Sequence, residues 1–173
     1  MADGLRIDRV RLREERERKD VVIEVDLVNE LERTVHVHAT PRIVNYDPST
    51  HHLTVEMSDE HLNREIPSKV LRRPKFKAVD PQRKSTMRIR LPRIIHRLGP
   101  GPDERVPGIE SLPIHEATDI DVAVAWSDTP FYPDPRDGGD AKVRDVVKWQ
   151  QGTARGSGRH RRAASDEEDS APA

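Results

Sequence analysis

VVIEVDLVN, residues 21–29, is the stretch that decides the fold class. Three apolar side chains at every second position, Ile23, Val25 and Leu27, alternate with the acids Glu24 and Asp26. Successive side chains of an extended strand point to opposite faces, so this period of two predicts a β-strand with one buried and one wet face.

Four further segments repeat the same alternation. They are TVHVHA (34–39), HLTVEM (52–57), TMRIRL (86–91) and DIDVAVAW (119–126). Strands with one wet face are typical of antiparallel sheets. No long stretch of period 3.6 separates them, so a parallel sheet with crossover helices is not expected. The pattern therefore predicts an all-β domain built from antiparallel sheets.

Polar turns, such as NYDPSTHH at 45–52, separate these short strands. Short strands at this spacing fit an antiparallel β-sandwich. The order of the segments resembles an immunoglobulin-like or fibronectin-like domain. The resemblance is to the class alone, because a chain without cysteine cannot carry the Cys…Trp…Cys signature of immunoglobulin domains.

Composition changes along the chain predict the domain limits. Residues 1–151 are predicted to form the β-sandwich domain. Residues 152–173 are predicted to be a disordered low-complexity tail, GTARGSGRHRRAASDEEDSAPA, because this segment has almost no large apolar side chain to bury. The Gly- and Pro-rich segment 98–118 is predicted to be a long loop, either a plain connection or a functional one. Segment 141–151 fits a helix and a strand equally well.

Composition also limits the function. Lysine and arginine number 30 against 31 acids, a net charge of −1, which favours neither nucleic acid nor an acidic membrane surface as a partner. The absence of cysteine excludes disulfides, thiolate zinc sites and cysteine nucleophiles. No run approaches the roughly 20 apolar residues of a membrane helix, and the first residues lack an apolar signal region. We therefore expect a cytoplasmic protein.

His36 and His38 are the first candidates for a site. Their spacing places both rings on one face of a strand, as in many metal sites, and His61 could approach across the hairpin. A downstream Glu at a suitable offset is missing, so the favoured interpretation is a solvated strand face. We predict no bound metal and no cofactor, and keep a metal-binding protein or metal-dependent enzyme as an alternative.

Other motifs give weaker indications. The sequence holds no Gly-x-Ser-x-Gly elbow, no phosphate loop and no dinucleotide fingerprint. The basic residues Arg72, Arg73, Lys75 and Lys77 offer a second alternative, a nucleic-acid-associated module, although aromatic side chains are not interleaved with them for base stacking. Ser165, between arginines and acids, is a candidate phosphorylation site.

The segment AWSDTPFYP, residues 125–133, holds three of the six aromatic residues. Phe131 and Tyr132 are adjacent, so in an extended chain one can pack on the core while the other stays accessible to anchor a partner. The favoured interpretation is that both close the core, with the partner anchor as the alternative. The leading hypothesis is a non-enzymatic protein–protein interaction or accessory module, whose partner and oligomeric state the sequence does not specify.

Overall fold

The computed structural model describes residues 4–15, 17–60, 70–71, 74–103, 105–132 and 141–160. The strands are β1 Leu5–Glu15, β2 Asp20–Asn29, β3 Val35–His38, β4 Ile43–Asp47, β5 His52–Met57, β6 Val70–Leu71, β7 Phe76–Val79, β8 Lys84–Pro92, β9 Ile94–Asp103, β10 Val106–Pro113, β11 Asp119–Ser127, β12 Ala141–Lys142 and β13 Gly152–Arg159. One 3-10 turn, Ile114–Glu116, and one helix, α1 Val143–Trp149, complete the described elements. The five strands predicted from alternation are confirmed as β2, β3, β5, β8 and β11, and the chain is mostly β.

Two sheets carry the core. The first has the order β1-β2-β8, and the second has the order β4-β5-β11-β3-β7 with β13 added on β11. Two smaller pairs, β9 with β10 and β6 with β12, stand apart from these sheets. Apolar side chains from both large sheets form one buried cluster, which includes Ile23 and Leu27 from β2 together with Val55 and Val124 from β5 and β11. This shared core agrees with the predicted β-sandwich.

The prediction of purely antiparallel sheets is wrong for one pair of strands. β5 and β11 run parallel, with Leu53 opposite Ile120 and Val55 opposite Val122. The alternation of apolar and polar residues reports which face is wet, but it carries no information on strand direction. The other pairs of the large sheets are antiparallel.

β13 corrects the predicted tail. Residues 152–159 pair with β11 along its length in antiparallel register, and residues 119–124 of β11 pair with β5 on the opposite edge. The predicted disorder from Gly152 is therefore wrong as far as His160, whose N–H donates to the Thr118 carbonyl at 2.7 Å. Residues 161–173 lie outside the described residues.

Small side chains allow β13 to form where large apolar ones are missing. Positions 152, 154, 156 and 158 are Gly, Ala, Gly and Gly, and β1 lies directly against this face. A Cβ added at Gly156 would overlap the Ile7 side chain, and one at Gly158 would overlap the Val10 carbonyl oxygen. The glycines are therefore needed for the close approach of two strands.

We expect Gly158→Val to destabilise the domain strongly, by about 3 kcal/mol, because the new side chain meets backbone that cannot rotate away. Arg155→Val is the matched control, since it places the same β-branched side chain on the exposed face of the same strand. Thermal unfolding followed by circular dichroism measures both. Equal midpoints for the two variants would contradict the close packing of β1 on β13.

The predicted loop at 98–118 is also wrong for most of its length. Residues 94–103 and 106–113 form the β9–β10 hairpin, in which Leu98 lies opposite Ile109. Glycine and proline here shape a twisted hairpin with a register shift between Val106 and Gly108. The open choice at 141–151 resolves mainly to a helix, α1, which follows the two-residue strand β12.

Candidate functional site

His36 and His38 do not form a solvated pair. His36 is half-buried, whereas His38 is fully buried although it lies on the same face of β3. The ring of Phe76, directly across the β3–β7 pair, packs edge-on against His38 with centroids 5.9 Å apart. The polar face predicted for this strand is thus covered by a second layer, and the prediction of a wet His38 is wrong.

Beneath that layer His38 joins a buried ionic cluster with Asp59 and Arg42. His38 Nε2 lies 3.5 Å from one carboxylate oxygen of Asp59, and Arg42 Nε donates to the other at 2.7 Å. The backbone N–H of Thr40 donates to His38 Nδ1 at 3.3 Å, so the network places the ring proton on Nε2, facing Asp59.

The charge of Asp59 is stabilised by its neighbours. Burial alone raises the pKa of Asp59, but the adjacent His38 ring and the hydrogen bond and charge of Arg42 outweigh burial and hold the pKa below its ordinary value. Asp59 has 1% of its side chain exposed. A substrate has no access to this carboxylate, so the cluster is suited to fixing the 38–42 segment rather than to catalysis.

A metal site is not assembled by the candidate histidines. Within the described ranges, no group of three or more His, Asp and Glu side chains is placed to hold a metal ion. His61 lies outside the described residues, and the absence of metal stays a prediction.

Phe131 and Tyr132 point to opposite sides of the chain, so that Phe131 is buried and Tyr132 is exposed. Phe131 is buried and stacks on Phe76 at 5.4 Å, while Trp149 of α1 meets both rings edge-on. Phe131 therefore belongs to a small satellite core and is not available as a partner anchor, which corrects its place among the candidates. Tyr132 is 79% exposed and keeps that role as a prediction.

The remaining sequence candidates are only partly described. Lys75 is exposed and Lys77 is half-buried, on either side of Phe76. Arg72, Arg73 and the candidate phosphorylation site Ser165 lie outside the described residues.

A second His–Asp pair, His52 with Asp121, lies on the surface, and Ser157 bonds to the same carboxylate. His52 Nε2 is 2.7 Å from Asp121 Oδ2, and Ser157 Oγ donates to Asp121 Oδ1 at 2.5 Å. A nucleophilic serine needs the histidine beside it and the carboxylate behind the histidine. Here the carboxylate lies between His52 and Ser157, so the three side chains do not have the order of a Ser-His-Asp triad.

The β9–β10 hairpin carries an apolar surface that the sequence reasoning missed. Five large apolar side chains are exposed in the described part of the chain, and four belong to this hairpin: Ile94, Leu98, Val106 and Ile109. Leu98 and Ile109 are direct cross-strand partners, each 76% exposed. Ile94 lies on the same face four residues from Leu98, and we call Ile94, Leu98 and Ile109 the hairpin strip.

The opposite face of the hairpin behaves differently. Leu112 is buried in the main core and Ile95 packs against that core, which fixes the base of the hairpin. Farther out, Arg97 Nε donates to Glu110 Oε2 at 2.8 Å. The hairpin is therefore anchored through one face and presents apolar side chains on the other.

A sequence signal for this surface existed. Ile94 and Leu98 before the Gly-Pro repeats, with Ile109 and Leu112 after them, frame a hairpin whose turn is rich in glycine and proline. The segment is predicted to be a loop because its glycine and proline content is a stronger signal than these apolar residues.

In the part of the chain that the structure describes, no helix has the length and apolar character needed to cross a membrane.

Comparisons with known proteins place the chain in no family: no protein-family model matches it, and neither the curated proteins nor the solved structures contain a match.

Proposed function

We propose that this chain is a non-enzymatic interaction module that binds a protein partner through the hairpin strip. The observation that carries the proposal is the pairing of Leu98 with Ile109, both large, apolar and exposed on a hairpin whose other face is anchored. Burying such a side chain contributes about 1.5–3 kcal/mol, so a partner that covers both gains about 3–6 kcal/mol from these two contacts.

A binding role fits the polar groups as well. The buried Asp59 is committed to Arg42 and His38, and the exposed Ser157 donates to a carboxylate. Neither arrangement places a histidine beside a serine hydroxyl, as a Ser-His-Asp nucleophile requires. The absence of an enzyme activity remains part of the proposal.

Three finer features belong to the same proposal. The two sheets around one core support an immunoglobulin-like or fibronectin-like sandwich, with the parallel β5–β11 pair as a departure from that class. The lack of cysteine supports a cytoplasmic location. Tyr132, rigidified by Pro130 and exposed, is a second anchor for a partner.

The two faces of β9 provide a matched test. A photo-crosslinking amino acid at Leu98 is expected to capture a partner in cells, and the same group at Arg97, on the opposite face, is expected to capture none. The captured protein, once purified, should bind the chain carrying Leu98→Ser and Ile109→Ser at least about tenfold more weakly, a loss of about 1.4 kcal/mol.

Thermal stability of the double variant should stay unchanged, because both side chains are exposed. A captured second copy of this chain would identify the partner as the chain itself. Equal crosslinking from both faces, no crosslinking from Leu98, or unchanged affinity of the double variant would each refute the proposal.

A further inference from the structure

A cleft of about 440 Å³ lies between the 39–42 segment and β8. Four cationic side chains line it: Arg42, Lys75, Arg88 and Arg90. They come from three separate parts of the sequence, and no Asp or Glu is among the described lining residues. We call this the basic cleft.

Three of the four cationic side chains that line the basic cleft lie beside a carboxylate: Arg42 beside Asp59, Arg90 beside Glu15 and Arg88 beside Glu24. Arg90 donates to Glu15 at 2.9 Å, but Arg88 only approaches Glu24 at 3.7 Å. Glu24 is also shared with Arg11 and Arg13 at 3.2 and 3.5 Å, so one acid faces three guanidinium groups.

Lys75 adds a charge with no counterion. Among the residues that the structure describes, its ammonium group makes no ion pair. A lysine at the mouth of a cleft already lined by arginines raises the local positive potential. An anion entering the cleft would therefore meet the charge of Lys75, which no described carboxylate pairs, beside three arginines.

Backbone contacts hold these groups in place. The Lys75 N–H donates to Thr40 Oγ1 at 2.7 Å, and the Ala39 N–H donates to the Lys75 carbonyl at 2.8 Å. Arg42 is anchored from below by Asp59 at 2.7 Å. The backbone at Lys75 and the side chain of Arg42 are thus fixed in place, which lowers the entropy cost of binding.

We propose that the basic cleft binds a small oxyanion ligand, either a phosphate ester or a polycarboxylate. Guanidinium groups match the oxygens of both in bidentate geometry, and a lysine adds a point charge. The volume exceeds that of a lone phosphate and lies in the range of small-molecule sites. No aromatic side chain is among the described lining residues, so nucleobase stacking does not contribute.

The test uses the full-length chain labelled with ¹⁵N and titrated separately with pyrophosphate and with citrate at low salt. We expect saturable shifts of the amides of residues 39–42, 75 and 88–90. Tighter binding of pyrophosphate identifies a phosphate ester as the ligand class, and tighter binding of citrate identifies a polycarboxylate.

Lys75→Ala is expected to weaken the preferred probe at least about tenfold. Lys84→Ala, an exposed lysine on β8 outside the cleft, is the matched control and should change affinity less than about twofold. Both positions are exposed, so the thermal midpoints of both variants should equal that of the wild type.

Three results would overturn the site: no saturable binding of either probe, shifts spread over the arginines of the whole surface, or equal weakening by the two variants. Because binding at this cleft is read out by amide shifts and not by partner capture, its failure leaves the test of the hairpin strip untouched.

Discussion

A chain that ends at Gln151 is expected to be unfolded at 25 °C, whereas a chain that ends at His160 is expected to keep the fold. The two truncations differ only by residues 152–160, which comprise β13 and the residue after it. The sequence pattern alone predicts the opposite, that removal of 152–173 leaves stability nearly unchanged. The pairing of β13 reverses that expectation.

Loss of β13 would expose the two strands that contact it, β11 and β1. Eight residue pairs join it to β11, so the backbone of a buried strand would lose its neighbour along one whole edge. Ile7, Val10 and Trp126, which close against its glycines, would be uncovered. At about 1.5–3 kcal/mol for each large apolar side chain, the loss exceeds about 5 kcal/mol, which is comparable to the total stability of a typical domain.

Circular dichroism and the dispersion of amide resonances distinguish the two chains. We expect random-coil spectra for the chain ending at Gln151 and native spectra for the chain ending at His160. A cooperative unfolding transition of the shorter chain near that of the longer one would show that β13 contributes little.

β13 also shows what sequence reasoning can reach. Strands that bury Val, Ile and Leu, such as β2 and β8, were predicted because alternation of apolar and polar residues reports a buried face. β13 buries its face with glycine and alanine, whose lack of bulk resembles low complexity. Its pattern of small residues at 152, 154, 156 and 158 has period two, and only the neighbouring β1 gives that pattern meaning.

The candidate site was also predictable from the sequence only in part. Alternation correctly placed His36 and His38 on one face, but it could not show that Phe76 and the satellite core cover that face. The partners of His38 are distant in the sequence: Asp59 is 21 residues away and reaches it only through the fold. The favoured interpretation, that Phe131 and Tyr132 both close the core, is wrong for Tyr132. The division between interior and surface, which adjacent-residue geometry offered as the alternative, is the one observed.

The buried cluster gives the second large effect. Asp59→Ala is expected to destabilise the domain by about 3–5 kcal/mol, because the largely buried Arg42 and the fully buried His38 would lose the carboxylate between them. Asp121→Ala is the matched control: it removes a carboxylate from another His–Asp pair, at the shorter distance of 2.7 Å but on the surface. Its cost should stay below about 1 kcal/mol.

Urea unfolding of both variants measures the difference, and a third chain tests its cause. On an Arg42→Met background the positive charge that Asp59 balances is absent, so Asp59→Ala should cost much less there than in the wild type. Equal costs on the two backgrounds would show that Asp59 acts through packing and not through its charge.

Lowering the pH should remove the stabilisation that ionised Asp59 gives to the fold. Its pKa in the folded chain lies below the value near 3.9 of an unfolded aspartate, since His38 and Arg42 favour the ionised form against the opposing effect of burial. The stabilisation is therefore fully present above that unfolded value and is lost as pH falls through the folded pKa. The stability difference between the wild type and the isosteric Asp59→Asn should be largest above about pH 5 and should shrink below about pH 4. The exposed Asp8, Asp47 and Asp121, whose pKa values are also lowered, are present in both chains and cancel in this difference. A gap that stays constant down to pH 3 would mean that the carboxylate carries no charge-dependent stabilisation in the fold.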